Sequence, residues 1–288
     1  MSNETKAPFE GGERFDVIDR IGEGGMGSVY SAYDTLLKER VALKTLKERS
    51  SESLLLLKNE FRLLQDIRHP NLVSYGELFE NEGAWFFSME LIRGTDFLSY
   101  VRGEEALSSF NRDGLSMETV RVTLPSTTNC EVPVVRTEAD ADETTGPGRA
   151  RRGVDMTRLR EALRQLAAAL VALHSNNRTH RDIKPENIMV EPSGRLVLMD
   201  FGLVIESSRS NTDEAQLLPA GTFAYMSPEQ AAGKEPAPSS DWYSFGVVLF
   251  EALTGMLPFD GTDTSILIRK QQESAPDPAR YAPDIPDD

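Results

Sequence analysis

Hydrophobic and polar positions divide the chain into three regimes. From Phe15 to Leu91 apolar residues come in short runs separated by charged or glycine-rich turns. Phe15–Ile21 alternates and predicts a strand, and Val29–Tyr33 and Arg40–Leu46 predict two more around the charged turn Leu37-Lys38-Glu39. Leu72–Phe79 and Ala84–Leu91 predict a hairpin about Asn81-Glu82-Gly83. Between these strands, Glu52–Ile67 changes period: Leu57, Phe61 and Leu64 fall at i, i+4 and i+7, the stripe of a helix that His69-Pro70-Asn71 ends.

The second regime opens with a helix beginning over Gly94–Arg102 and then loses its period. Residues 103–154 are rich in Thr, Glu, Asp, Gly and Arg; Val120–Leu124 predicts one short strand, and Arg136–Gly153 has the composition of a disordered segment. So long an aperiodic stretch within a folded domain reads as an insertion. In the third regime Asp155–Asn176 gives the strongest helix, with Asp155 as cap and Leu159, Leu163, Leu166, Leu170 and Leu173 along its apolar face. Ile188–Val190 and Leu196–Leu198 predict strands around Pro192-Ser193-Gly194, residues 203–220 a polar loop, and Asp241–Thr254 an apolar helix with Asp241 placed to cap it. Strands with one helix followed by mostly helices define an α+β chain. Its expected divisions are a flexible 1–14, a first lobe and connector over 15–92, a second lobe over 93–273 with the 103–154 insertion, and a Pro/Asp-rich tail over 274–288.

The net charge of −15 argues against a general nucleic-acid binder, which needs a basic face. One cysteine, Cys130, permits no internal disulfide and suits a reducing, cytoplasmic setting; three scattered histidines with no cysteine pair do not read as a zinc site. The N-terminus lacks a basic cap followed by an apolar run, and Phe245–Phe250 is too short an apolar stretch to span a bilayer before Glu251 interrupts it. The chain reads as soluble, without a membrane segment.

The chemistry concentrates in His180-Arg181-Asp182-Ile183-Lys184-Pro185-Glu186-Asn187 and, shortly after, Asp200-Phe201-Gly202. This order supplies a carboxylate, an ammonium, an amide and a second carboxylate, the groups that phosphoryl transfer from ATP requires. Upstream, Gly22-Glu23-Gly24-Gly25-Met26-Gly27-Ser28-Val29 places glycines between two predicted strands, where the backbone can approach phosphates closely. No Gly-Lys-Ser/Thr opens a helix there, which sets it apart from a P-loop. Val41-Ala42-Leu43-Lys44 ends an apolar strand on a lysine.

With these motifs in order, the chain resembles a eukaryotic-type Ser/Thr protein kinase of the bacterial branch, from about Phe15 to Asp260. The resemblance implies a bilobal fold, with an antiparallel sheet and one helix in the first lobe and a mainly helical second lobe. It implies ATP and Mg²⁺ as reactants, Ser/Thr-bearing proteins as partners, and dimerisation as a route to autophosphorylation. Asp182 would orient the substrate hydroxyl and accept its proton, Lys184 would neutralise the γ-phosphate, and Asn187 and Asp200 would hold Mg²⁺. Lys44 would meet the α/β-phosphates and pair with Glu60. Ile21, Gly22, Gly24, Gly27, Val29, Ala42 and Met189 would line the nucleotide site, with Met89 as gatekeeper, the backbone of Glu90 and Ile92 on the adenine edge, and Asp96 near the ribose. His180 and Phe201 would pack with Leu64 and Tyr75 rather than react. Arg181 would pair with a phosphate on a loop carrying Ser207, Ser208, Ser210, Thr212 and Thr222. Thr222 would touch Asp182 and Lys184, the Ser227-Pro228-Glu229 segment would serve protein-substrate binding, and Asp241 would bind the catalytic-loop backbone.

Three departures from the family pattern bear on function. Arg178-Thr179 stands where apolar residues are usual, and the 103–154 insertion is atypical. The ending Arg280–Asp288 resembles a segment that in relatives leads into two more helices, one bearing an arginine that pairs with the counterpart of Glu229. Their absence implies a truncated second lobe, an unpaired Glu229 and an uncovered apolar face, at a cost of roughly several kcal/mol. The resulting alternative is a pseudokinase or ATP-binding module with impaired activity. A small-molecule phosphotransferase is disfavoured by Thr222 and Ser227-Pro228-Glu229.

Overall fold

The computed structural model describes residues 9–23, 27–46, 54–55, 57–58, 61–62, 65–81, 83–103, 153–200 and 222–286. The expectations for Gly24, Glu60, Leu64, Phe201, the Thr222 side chain, Ser207–Thr212, the 120–124 strand and most of the insertion fall outside them.

Five strands, β1 (Phe15–Glu23), β2 (Ser28–Asp34), β3 (Glu39–Thr45), β4 (Tyr75–Asn81) and β5 (Ala84–Glu90), form one antiparallel sheet in the order β1-β2-β3-β5-β4. The strand period of two sorts β3 onto its two faces. Val41 and Leu43 join Phe15, Ala32 and Phe86 in a cluster on one side. Ala42 faces the other way, into the main core with Phe87 and Met89. Lys44, two residues on, shares that face, and the β3–β5 register sets Ala42 beside Met89 and Lys44 beside Phe87. Residues 54, 55, 57, 58, 61 and 62 are helical, and Leu57 and Phe61 bury themselves in the main core, Phe61 against the Phe87 ring.

Gly27, just before β2, is under a tight constraint. A Cβ built there would lie 1.6 Å from the Thr45 carbonyl oxygen, whereas one at Gly22 would meet only Val29, at 3.7 Å. The sequence motif points to phosphate approach; the fold adds that Gly27 is needed for β2 to close on the end of β3. Gly27→Ala should therefore destabilise the sheet by about 1–3 kcal/mol through forced backbone displacement, with Gly22→Ala costing less. Thermal unfolding of the two variants checks the ranking, and equal melting temperatures would contradict it.

The second lobe starts with a short strand that sequence reading merges into a helix. Thr95–Asp96 forms β6, pairing with β7 (Ile188–Val190), which pairs with β8 (Leu196–Leu198). Helix α1 (Phe97–Arg102) then starts with Asp96 as its cap, accepting the Ser99 N–H at 3.0 Å. Helix α2 (Met156–Ser175) is capped by Asp155, which accepts from the N–H groups of Thr157 and Arg158 at 3.0 Å each. Its buried stripe is Leu159, Ala162, Leu166, Ala169, Leu170 and Leu173; Leu163, expected on that face, is only partly buried.

Helices α3 (Thr222–Tyr225), α4 (Pro228–Ala231), α5 (Pro238–Thr254) and α6 (Asp263–Gln272) complete the lobe, followed by a 3-10 turn at Pro278–Arg280. Helix α5 begins three residues before its expected start, with Pro238 in its first turn, so Asp241 is not its cap. Beyond α6, Tyr281 sets its ring 6.0 Å from that of Phe250. Among the described residues no helix is long and apolar enough to cross a membrane.

Candidate active site

The two lobes are tied at the back of the cleft. Asn71 donates through Nδ2 to the Leu196 carbonyl at 2.7 Å and to Gln165 Oε1 at 2.8 Å. Its own carbonyl accepts the Leu198 N–H, and Leu198 returns its carbonyl to the Val73 N–H. At the connector, Arg195 grips Glu90 with two hydrogen bonds, Nη1 to Oε1 at 2.5 Å and Nη2 to Oε2 at 3.1 Å, while its Nε donates to the Pro70 carbonyl at 2.8 Å. A forked guanidinium matches a carboxylate in this way. It fixes the segment where the resemblance places the adenine edge. No local pattern in the sequence marks Arg195 for this, because its partner lies on β5, far away in the chain.

Several residues of the expected nucleotide site share one face. Ala42 and Met89 are buried side by side, Lys44 follows on β3, and Val29 packs partly against the same core. The Glu90 N–H is taken by the Ser74 carbonyl at 2.9 Å. Ile92 is half-buried just after β5, Ile21 is exposed on β1, and Met189 lies on β7 opposite Asp96. Asp96 is engaged as the α1 cap and also accepts the Ser99 hydroxyl.

The polar groups form a connected set. Lys44 reaches across the cleft and donates to Asp200 Oδ1 at 2.9 Å. That ammonium holds the Asp200 carboxyl below the usual carboxylate range, against the opposing effect of burial. Asp182 accepts Lys184 Nζ at 2.8 Å and Asn187 Nδ2 at 2.9 Å, both on Oδ2. Asn187 Nδ2 also faces the Asp182 and Asp200 carbonyls at 2.7 and 3.3 Å. Three acceptors around one nitrogen settle the amide orientation and turn Oδ1 away from them. Asn187 Oδ1 and Asp200 Oδ2 are then two hard oxygen donors from adjacent segments, a set that fits Mg²⁺, which takes one or two protein oxygens and completes its shell with water and phosphate.

The loop is held from behind. Asp241 on α5 accepts the His180 N–H on Oδ2 and the Arg181 N–H on Oδ1, both at 2.8 Å, and its Oδ2 also meets His174 Nε2 at 2.8 Å. Arg181 sits at φ 73° and Asp200 at φ 49°, left-handed conformations that side chains seldom adopt without such support. His180 is fully buried, its Nε2 3.0 Å from the Met199 carbonyl, and burial pushes its imidazole below the ordinary value. A neutral ring donating to a carbonyl has a packing role. Tyr75, expected in the same stack, is buried too. The part of His174 was missed in the sequence, where it is a lone histidine near a helix end.

Gln230 connects this loop to the segment after it, donating from Nε2 to the Arg181 carbonyl at 3.1 Å. Glu229, expected to be unpaired, accepts the Ser240 hydroxyl at 2.7 Å. Burial acts to raise its carboxyl, but Ser240 and the backbone outweigh that and leave it below the usual range.

The sheet, the helical lobe beneath it and the connected Lys44–Asp200–Asn187–Asp182–Lys184 groups define the architecture of a protein kinase. A family model for protein tyrosine and serine/threonine kinases matches residues 15–285, and the chain belongs to that family. It is related to bacterial enzymes over 95% of its length: the probable serine/threonine-protein kinase PknB of Lactococcus lactis (28% identical over 279 residues), PrkC of Bacillus subtilis (30% over 278) and PknA of Mycobacterium tuberculosis (31% over 281). The chain spans only 37%, 35% and 54% of the lengths of these three curated relatives.

Proposed function

We propose that the chain is an ATP-dependent protein serine/threonine kinase that moves the γ-phosphate of ATP to Ser or Thr hydroxyls of proteins, its own included. The observation that carries this reading is the Asp182 carboxylate. Its Oδ2 is engaged by Lys184 and Asn187, and no donor among the described residues bonds its Oδ1. That oxygen is available to a substrate hydroxyl.

In the reaction the hydroxyl oxygen forms a bond to the γ-phosphorus as the bond to the β,γ-bridging oxygen breaks, and the hydroxyl proton passes to Asp182. Positioning matters more than basicity, because the loose transition state asks little of the base. Lys184, already at the carboxylate, balances charge gathering on the transferred group. Lys44 is the cation for the other phosphates, and its contact with Asp200 sets the two lobes at a working distance. Asn187 Oδ1 and Asp200 Oδ2 would hold Mg²⁺, which supplies charge neutralisation at the phosphates. The preference for Ser/Thr over Tyr rests on the printed activities of the relatives.

Incubating the purified chain with labelled ATP·Mg²⁺ and a basic protein tests this. Label on Ser or Thr after acid hydrolysis is the expected result. ATP binding without transfer would overturn the proposal in favour of a binding module.

A further inference from the structure

Lys270 is a buried charge that phosphoryl transfer as described does not use. It lies on α6, one turn after Ile266 on the same face, and both are almost fully buried, at 4% and 6% exposure. Its ammonium donates to three main-chain carbonyls, those of Phe223 at 2.7 Å, Ala224 at 2.6 Å and Met226 at 2.7 Å. The carbonyl between them, of Tyr225, accepts the Ser244 hydroxyl of α5 at 2.8 Å.

Two of the three that Lys270 engages are carbonyls that α3 leaves over, and the third, of Met226, follows its last residue. A helix of one turn satisfies almost none of its own C=O groups, and its C-terminal end carries partial negative charge. An ammonium has three donors and no acceptor, so one lysine can satisfy three such oxygens where an apolar residue would leave them buried and unpaired. Burial pushes the Lys270 ammonium down to about 7; hydrogen bonds to carbonyl oxygens are of the kind that favours a charged ammonium. The Tyr243 ring of α5 adds a face 5.5 Å from the ammonium.

The segment so held adjoins the catalytic loop. Ser227 follows it and caps α4, and Gln230 of α4 bonds the Arg181 carbonyl, next to Asp182. We infer that Lys270 is a positioning residue for the protein substrate: it fixes the buried 223–226 backbone, and with it the adjoining, partly exposed start of α4, against which a Ser/Thr-bearing segment is presented to Asp182. The inference rests on the kinase reading above. Lys270 bonds the main chain of this segment and is bonded to none of Asp182, Lys184, Asn187 or Asp200 among the described contacts, so its loss should spare the nucleotide side.

The test compares wild type, Lys270→Met and Lys270→Arg in steady-state phosphorylation of a generic basic protein, alongside ATP affinity, ATPase activity without protein substrate, and thermal unfolding. Lys270→Met should raise KM for the protein substrate roughly tenfold, the scale of a misplaced binding element, with ATP affinity and intrinsic ATPase unchanged; Lys270→Arg should recover part of the loss. If Lys270→Met does not fold, Lys270→Gln is read by the same criteria. An unchanged KM in a folded variant overturns the inference, as does an equal fall in ATP affinity, which would mark Lys270 as a general stabiliser. Wild type that transfers no phosphate at all would instead overturn the kinase reading.

Discussion

Asp182→Asn should lower the rate of phosphoryl transfer by about 10²–10⁴-fold, the range for loss of a positioned proton acceptor, while ATP affinity stays within about twofold. The substitution is close to isosteric. An amide oxygen can replace Oδ2 and still accept from Lys184 and Asn187, which now stand 2.8 and 2.9 Å away. What goes is the negative charge that, on the proposed reading, draws the substrate hydroxyl and takes its proton. The amide nitrogen would then point toward the hydroxyl as a donor, the wrong polarity for the attack. Single-turnover transfer with saturating ATP, paired with equilibrium nucleotide binding, separates the two quantities. A variant that transfers at near wild-type rates would mean that Asp182 is not the acceptor.

Asp241→Ala should produce the largest loss of stability of any single substitution around the loop, about 3–5 kcal/mol, seen as a fall in Tm of roughly 6–20 °C. Asp241 is 1% exposed and accepts three hydrogen bonds. Removing it takes away the carboxylate that accepts the His180 and Arg181 N–H groups and the support for a φ of 73° at Arg181. The backbone that aims Asp182 should relax, so kcat should fall along with Tm even where the protein is still folded. Calorimetry and kinetics on the same preparation check both. Normal kcat with a lowered Tm would separate the loop geometry from its stability and refute the coupling argued here.

How much of this was legible in the chain varies with the range of the interaction. The five strands of the first sheet, α2 and the two short strands around Pro192-Ser193-Gly194 follow from local period and turn chemistry, and their observed bounds differ from expectation by only a few residues. The errors lie where distant contacts act. Thr95–Asp96 reads as the start of a helix because it is locally compatible with one; its pairing with Met189 and Val190 pulls it into a strand and moves the cap to Asp96. Leu163 looks equivalent to Leu159 and Leu166 on α2, yet the neighbours choose Ala162 and Ala169 to face inward instead. Asp241 satisfies the chemistry of a cap, but α5 starts at Pro238, and the carboxylate turns to the catalytic loop.

The sequence by itself determined the chemical inventory. The order of Asp182, Lys184, Asn187 and Asp200, with Lys44 after an apolar strand, supplies the carboxylates, amide and cations that phosphoryl transfer requires. It also determined the strand pattern that puts Ala42 and Lys44 on one face of β3. The tertiary structure decided who supports these groups. That Asp241 holds the loop, that Arg195 grips the connector at Glu90, that Ser240 partners Glu229 and that Lys270 takes up the carbonyls of 223–226 all depend on segments brought together from far along the chain. A lysine or arginine in a helix or turn is locally indistinguishable from a solvated surface charge; only packing shows that its donors are spent on buried oxygens.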